Sequence, residues 1–308
     1  IELRAKLDTT NVEWLNDAGR FISEYQARYE DAKRYYEKGL EQSILQYGER
    51  SSWVSNFYNN IGLFYTAQGD YSQALEYCEK SLSIYEFLFG TNHPDVATSY
   101  NNIGVICSYQ GDYPRALKYY EKSLSISKSL FGVNHPDVAT SYNNIGLVYS
   151  SQGDYPRALE YYEKSLSILE SLLGANHPDV ATSYNNIGLV YKDQGDYPRA
   201  LEYYEKSLSI YKSLFGVNHP AVALSYNNIG GVYIKQGDNS RALEYYEKSL
   251  SIYESIFGVN HPNVALSYNN IGFVHYNQGD YPRALEYYEK SLSIRESLLG
   301  VNHPDVAT

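Results

Sequence analysis

An all-α solenoid, in which helix pairs of one kind stack along the chain, is the fold class that the sequence predicts. Three short motifs support this prediction, because each recurs six times at a constant step of 42 residues. His-Pro begins at His93, His135, His177, His219, His261 and His303. Asn-Asn-Ile-Gly begins at Asn59, Asn101, Asn143, Asn185, Asn227 and Asn269, and Gly-Asp begins at Gly69, Gly111, Gly153, Gly195, Gly237 and Gly279. A fixed period of about 20–50 residues is typical of repeat architectures.

One repeat, residues 135–176, carries the signals of two helices. Pro136 suits the first turn of a helix, where its missing N–H costs nothing, and apolar residues then recur at helical spacing. Gly153 breaks this first helix, and Pro156 opens the second. Gly174 fits the position just past a helix C-terminus. Neither helix can bury its apolar face alone, so we expect neighbouring pairs to stack.

Applied along the chain, this pattern predicts a single domain, residues 1–308, that contains seven helix pairs. Residues 11–48 read as a degenerate first pair of the kind that caps a repeat array. The regular pairs are expected at residues 53–90, 95–132, 137–174, 179–216, 221–258 and 263–300. Residues 301–308 repeat the start of a first helix, and the chain starts at Ile1 with no methionine, so we expect a fragment of a longer array.

The composition excludes several classes of protein. Aromatic residues make up 15% of the chain and charged residues 20%, which is too apolar for a disordered protein. No apolar run approaches the ~18 residues that span a membrane. A net charge of −11 argues against a nucleic-acid surface, which needs clustered Lys and Arg. The sequence has no secretory leader and no glycosylation acceptor, so we expect a cytoplasmic protein with neither a nucleic-acid nor a membrane partner.

Histidines and cysteines are candidate metal ligands or catalytic residues, but their positions in the repeat favour a structural role. Equivalent loops of stacked pairs lie on the order of 10 Å apart, whereas zinc ligands lie ~2 Å from one shared ion. We therefore expect the periodic histidines to bond backbone groups at helix starts. Cys78, Cys107 and His275 stand where other repeats carry tyrosine, and we expect them to be buried packing residues. With no nucleophile–base pair and no glycine-rich phosphate loop, we expect no enzyme activity, metal or cofactor.

The repeat resembles the tetratricopeptide repeat. The family pattern fits Tyr142, Ile145, Gly146, Tyr149, Tyr155, Ala158 and Tyr162. The period of 42 exceeds the usual length of about 34 residues. Together with His-Pro-Asp-Val-Ala, this makes the chain similar to the tetratricopeptide domain of kinesin light chains. Related long repeats occur in multidomain signalling ATPases and caspase-like proteases. The resemblance implies a right-handed superhelix of antiparallel helix pairs, whose first helices line a concave groove.

Angular positions on the first helix indicate which residues face this groove. At ~100° per residue, Asn144 and Ser151 fall opposite the packed face that contains Tyr142 and Tyr149. The groove asparagine is the same in every regular repeat: Asn60, Asn102, Asn144, Asn186, Asn228 and Asn270. The candidate specificity residues around it differ between repeats: Tyr109, Ser151, Lys192, Asp193, Ile234, Lys235, Phe273, Tyr276 and Asn277. A late second-helix position also varies, through Tyr85, Ser127, Leu169, Tyr211, Tyr253 and Arg295.

Two interpretations of the groove asparagines stay open. A carboxamide both donates and accepts hydrogen bonds, so a row of them can pair with a peptide backbone while variable neighbours select side chains. The resemblance implies this use of first-helix asparagines. Alternatively, the asparagines pair with neighbouring repeats and are structural. We predict a non-enzymatic scaffold that binds an extended peptide or partner helix. The alternatives are a sensor or autoinhibitory array of a larger signalling ATPase or protease, and a structural array that self-associates end to end.

Overall fold

The computed structural model describes residues 8–22 and 29–299, which fold into α-helices without any strand among them. The helices are α1 (Val12–Phe21), α2 (Tyr29–Tyr47), α3 (Ser52–Ala67), α4 (Tyr71–Phe89), α5 (Pro94–Tyr109), α6 (Tyr113–Phe131), α7 (Pro136–Ser151), α8 (Tyr155–Leu173), α9 (Pro178–Asp193), α10 (Tyr197–Phe215), α11 (Pro220–Lys235), α12 (Asn239–Phe257), α13 (Pro262–Asn277) and α14 (Tyr281–Leu299). The predicted all-α class is confirmed. The further repeat expected at residues 301–308, with His303, lies outside the described residues.

The chain divides into two compact units, Ile1–Tyr161 and Tyr162–Thr308. In the first unit, α1 pairs with α2, α3 with α4 and α5 with α6. The second helix of each of these pairs also packs on the first helix of the next pair, and successive first helices touch one another. In the second unit, α9 pairs with α10, α11 with α12 and α13 with α14, and the same second-to-first contact joins consecutive pairs. Each unit is therefore a stack of helix pairs, as an α-solenoid requires.

Histidines begin the first helices from α5 to α13. At α7, Nδ1 of His135 accepts a hydrogen bond from the backbone N–H of Asp137 at 3.2 Å, and the ring of Phe131 stacks on the imidazole with centroids 4.2 Å apart. The same backbone bond occurs at His93, His177, His219 and His261. The predicted structural role of these histidines is confirmed. Within the described residues, no group of three or more His, Cys, Asp or Glu side chains could hold a metal ion.

Tyrosines on the second helices approach first-helix glycines closely in most pairs, and Cys78 takes the place of the tyrosine in the α3–α4 pair. Tyr246 on α12 packs over Gly230 on α11, where an added Cβ atom would lie 2.8 Å from the ring. Cys78, Cys107 and His275 occupy tyrosine positions and are buried, as predicted. Burial raises the pKa of the Cys78 thiol to about 12, which keeps the thiol protonated. No helix in the described part of the chain is long and apolar enough to cross a membrane.

Alanine substitutions at two adjacent glycines of α11 test this close approach. We expect Gly230→Ala to destabilise the second unit by about 1–3 kcal/mol, because the new methyl group clashes with the ring of Tyr246. Gly231→Ala is the matched control, since its Cβ would lie 3.7 Å from the Tyr246 hydroxyl, an ordinary contact. Because glycine is unfavourable inside a helix, we expect this variant to be as stable as the wild type or more so, by up to about 1 kcal/mol. Urea unfolding measures both, and equal effects would contradict the contact.

Aspartates begin the second helices, directly after a glycine with a left-handed backbone. Gly195 has a φ of 79°, and the next residue, Asp196, caps α10. One carboxylate oxygen of Asp196 accepts from the Arg199 backbone N–H at 3.2 Å, and the other accepts from Arg199 Nε at 2.6 Å. These two bonds lower the pKa of Asp196 below its ordinary value of 3.8, and the bond to the Arg199 side chain contributes more than the bond to its backbone N–H.

This lowered pKa predicts how the cap depends on pH. Since the folded pKa is depressed, the stabilisation by the ionised cap is complete above pH values near 3.8 and is lost as the pH falls through the folded pKa. We expect Asp196→Asn, which keeps a capping oxygen, to melt below the wild type at pH 7, and we expect this gap to shrink as the pH falls through the folded pKa. Asp70 caps α4 through Gln73 instead of an arginine, so Asp70→Asn is the control. A gap between wild type and Asp196→Asn that widens towards low pH would contradict this assignment.

Candidate peptide-binding face

The structure places the predicted groove residues on the exposed side of the first helices in both units. We call this side the first-helix face, and its residues are the groove asparagines and the variable residues beside them. In the first unit, Asn60, Asn102 and Asn144 are half-buried, and Tyr109 and Ser151 are exposed. In the second unit, the half-buried members are Asn186, Asn228, Asn270, Lys192 and Ile234, and the exposed members are Asp193, Lys235, Phe273, Tyr276 and Asn277. The opposite sides of the same helices carry buried residues such as Ile145 and Ile229.

The groove asparagines bond to the repeat before them. In the first unit, Nδ2 of Asn102 donates to Oδ1 of Asn59 at 2.8 Å, and Asn144 donates to Asn101 at the same distance. In the second unit, Asn228 donates to Asn185 and Asn270 to Asn227, both at 2.7 Å. The interpretation of the asparagines as links between repeats is therefore observed in the structure.

The first amide link differs by one residue from the others. Asn60 donates to Asn16 of α1 at 2.6 Å, which is 44 positions earlier in the sequence, whereas the regular links span 43. The degenerate first pair thus keeps the amide contact although its residues are offset. This partner was missed from the sequence, because the 42-residue pattern places Asp17 there.

An asparagine side chain that donates one hydrogen bond can still form others. Its NH₂ group has two donors and its oxygen has two lone pairs, so each linked asparagine keeps the capacity for a further donor–acceptor pair. The link orients the amide plane, because the donated N–H points along the stack of repeats. A backbone that lies across the first helices would therefore meet amides that are already oriented, which reduces the entropy lost on binding. Linking repeats and binding a peptide are thus compatible roles of the same side chain.

The variable residues provide different chemistry in the two units. In the first unit, the exposed ring of Tyr109 stacks on Tyr71 of the preceding pair with centroids 6.0 Å apart. In the second unit, Lys192 Nζ lies 3.7 Å from Asp193 Oδ1, so α9 offers a mixed pair of charges. Lys235 follows on α11, and α13 carries Phe273 and Tyr276. The face of the second unit thus changes from charged at α9 to aromatic at α13.

Contacts that the sequence did not indicate surround this face. Tyr71 was not among the candidate residues, although it supports the ring of Tyr109. Tyr276 meets Tyr281 of α14 edge to face at 5.6 Å. Tyr281 is the first residue of α14, so the short turn that brings it back to the last turn of α13 is the signal that could have found this contact. The contact of Tyr71 with Tyr109 joins two successive pairs, and no such turn signals it.

A double-mutant cycle tests the amide link. We expect Asn102→Ala and Asn59→Ala each to lower the urea midpoint, since each removes one partner of the same hydrogen bond. The double variant should lose less than the sum, by a coupling free energy of about 0.5–1.5 kcal/mol. Asn56→Ala combined with Asn102→Ala is the control, because Asn56 accepts from Tyr85 instead. A coupling of zero between Asn102 and Asn59 would show that the link adds nothing to stability.

Comparison with known proteins identifies the repeat. A family model for the tetratricopeptide repeat matches residues 53–129, 101–171, 137–213, 179–255, 221–297 and 263–308. No curated protein matches the chain. BtubC (BKLC) from P. vanneervenii is similar in structure, with 25% identity and a TM-score of 0.60 over 77% of this chain and 92% of that chain.

Two further solved structures share the fold at lower identity. The nearly identical TPR-like repeats of a putative kinesin light chain from Podosopora anserina have 21% identity and a TM-score of 0.57, over 67% of this chain and 98% of that one. The apo form of RapI has 18% identity and a TM-score of 0.66, over 93% of this chain and 98% of that one. Both likenesses concern the fold alone.

Proposed function

Because this chain belongs to the tetratricopeptide repeat family, we propose that it is a non-enzymatic scaffold that binds an extended peptide or a partner helix on its first-helix face. The tetratricopeptide fold is generally a scaffold for protein interactions. The proposal adds the face, the residues and the mode of binding. A concave groove, as the family resemblance implies, would present this face to the ligand.

One observation carries the proposal: a row of identically placed amides lies among exposed side chains that differ from repeat to repeat. The position two turns after the groove asparagine is occupied by Tyr109, Ser151, Asp193, Lys235 and Asn277, all exposed. The packed positions of the same helices barely change, since Ile103, Ile145, Ile187, Ile229 and Ile271 are all buried. Invariant amides suit a ligand backbone, which is the same at every residue, and differing neighbours suit its side chains.

Constant exposed residues elsewhere have another explanation. The exposed lysines of the second helices repeat almost unchanged, and Lys80, Lys206, Lys248 and Lys290 each pair with a glutamate four residues earlier. Lys206 Nζ lies 2.7 Å from Glu202 and 4.9 Å from the ring centroid of Tyr203, and Lys248 makes the equivalent contacts with Glu244 and Tyr245. Packing and charge pairing therefore account for constancy on the second helices. Within the described part of the chain, Phe273 and Lys235 make no equivalent set of ion-pair and ring contacts that would explain a constant residue.

Aromatic residues of α13 are the anchors that we assign to the ligand. Phe273 is 43% exposed and Tyr276 is 55% exposed, so both rings have apolar area to bury. Aromatic side chains contribute a large share of binding free energy at protein interfaces. Lys192, Asp193 and Lys235 would meet a ligand segment of mixed charge, since the lysines attract carboxylates and Asp193 repels them.

A displayed library of random peptides tests the proposal on the intact chain. We expect peptides to be enriched, and the double variant Phe273→Ala/Tyr276→Ala to bind them at least tenfold more weakly by fluorescence anisotropy, because two anchors are lost. Leu214→Ala/Val217→Ala is the matched control, since these apolar residues are 38% and 62% exposed but lie at the end of α10 and in the loop after it. Failure to enrich any peptide, or equal losses in both double variants, would overturn the proposal.

A further inference from the structure

A cavity of about 200 Å³ lies in the first unit between α5, α6 and α7. Its walls are small residues, and the floor includes Ser123 and Ser127 of α6, which are buried. Thr98 of α5 and Thr140 of α7 also line it, and both are exposed on the first-helix face. The cavity therefore opens beside the candidate groove residues of this unit.

Tyrosines fill the corresponding place in three other repeats, while Leu169 and Arg295 occupy it in the remaining two. Ser127 lies 42 residues after Tyr85, and Tyr211 and Tyr253 are its equivalents in the second unit. Tyr85 is only 6% exposed, packs against Val96, and donates from its hydroxyl to Oδ1 of Asn56 at 2.6 Å. In the second unit, the hydroxyl of Tyr211 lies 3.0 Å from Oγ1 of Thr182. Both hydroxyl partners stand where Thr98 stands beside the cavity, so a phenol ring suits this place in the repeat.

The residue types that line the cavity largely recur one repeat earlier, at the level of Tyr85. By the 42-residue step, Asn101, Ser123, Asp137, Thr140 and Ser141 correspond to Asn59, Ser81, Asp95, Thr98 and Ser99. Burial, and then the charge of Asp95, raise the pKa of Tyr85 to about 12, which places this carboxylate near the phenol. The change from Tyr to Ser at position 127 thus removes the ring, while five of the surrounding residue types stay and two change, Ser55 to Ala97 and Asn56 to Thr98.

We propose that this cavity binds a phenol ring, supplied either by a free phenolic molecule or by a tyrosine of a bound partner. The volume is sufficient, because a cavity of about 150 Å³ holds a benzene ring. The ring takes the place that Tyr85 occupies one repeat earlier, and its hydroxyl bonds Oγ1 of Thr98, as Tyr211 does with Thr182. Supply by a partner's tyrosine rests on the proposed function, whereas binding of a free phenol does not.

Titration with p-cresol, the side-chain analogue of tyrosine, tests the cavity directly. We expect one saturable site by ¹H–¹⁵N NMR, with shifts at Thr98 and Thr140. Ser127→Tyr should weaken this binding at least tenfold, because the resident ring occupies the site. Ser125→Tyr is the matched control, since Ser125 is exposed on the same helix. Toluene should bind more weakly than p-cresol by threefold or more, because it lacks the hydroxyl.

A second variant, Tyr85→Ser, keeps the test valid even if Ser127→Tyr disturbs the folding of the protein. Tyr85→Ser should open a second site with largely equivalent walls, in which Asn56 takes the place of Thr98, so the stoichiometry of p-cresol should rise from one to two. No saturable p-cresol binding, unchanged binding to Ser127→Tyr, or equal binding of toluene would each overturn the inference.

The source of the phenol is distinguished with peptides that the library selects. Replacing their tyrosine by phenylalanine should weaken binding to the wild type but not to Ser127→Tyr if a partner supplies the ring. If Ser127→Tyr weakens the binding of p-cresol but peptide binding does not depend on the peptide's tyrosine, the site is assigned to a free phenol. The outcome for Phe273 and Tyr276 is separate, because these anchors belong to the second unit. A negative result for phenol binding in the cavity can therefore be distinguished from a negative result for peptide binding at Phe273 and Tyr276.

Discussion

The close approach of a first-helix glycine to a second-helix tyrosine is the contact on which the rest of the structure depends. An added Cβ at Gly104, Gly188, Gly230 or Gly272 would lie within 2.7–3.0 Å of a tyrosine ring, so these four pairs are as close as their backbones allow. Tyr120 and Tyr204 are almost fully buried as a result. The large ring fills the space that a smaller side chain would leave empty, and the glycine makes room for it. This packing restricts the residues on the two facing sides of a pair, and the residues that face away from it are free to differ.

Much of the fold was predictable because it is local and repeated. The period of 42 residues, Pro136 at a helix start and Gly153 at a break are signals within a few positions of their effect, and each is read again in the next repeat. The structural role of His135 followed from the same local reasoning. Its stacking on Phe131 was not foreseen, because an aromatic contact across a turn depends on side-chain orientation that spacing does not determine.

The candidate site was predictable in its exposure but not in its contacts. Helical angles correctly separate Ser151 from Ile145, because one rotation of 100° per residue determines which side faces the core. The same angles could not show that Asn144 reaches Asn101, since that contact joins helices whose offset along the stack is a property of packing. The cavity at Ser127 is still harder to predict from the sequence. It is the space that a tyrosine ring would fill, and it is recognised only by comparison with Tyr85, whose ring occupies the equivalent position.

The amide links have a direction. Within each unit, every regular link runs from the NH₂ group of the later repeat to the oxygen of the earlier one, as from Asn144 to Asn101 and from Asn270 to Asn227. The donors and acceptors of the first-helix face are thus ordered like the N–H and C=O groups of a polypeptide, and reversing the face end for end gives a different pattern. A strand and its reverse are not equivalent on such a surface, so a peptide bound as proposed would meet a different order of donors and acceptors in each direction.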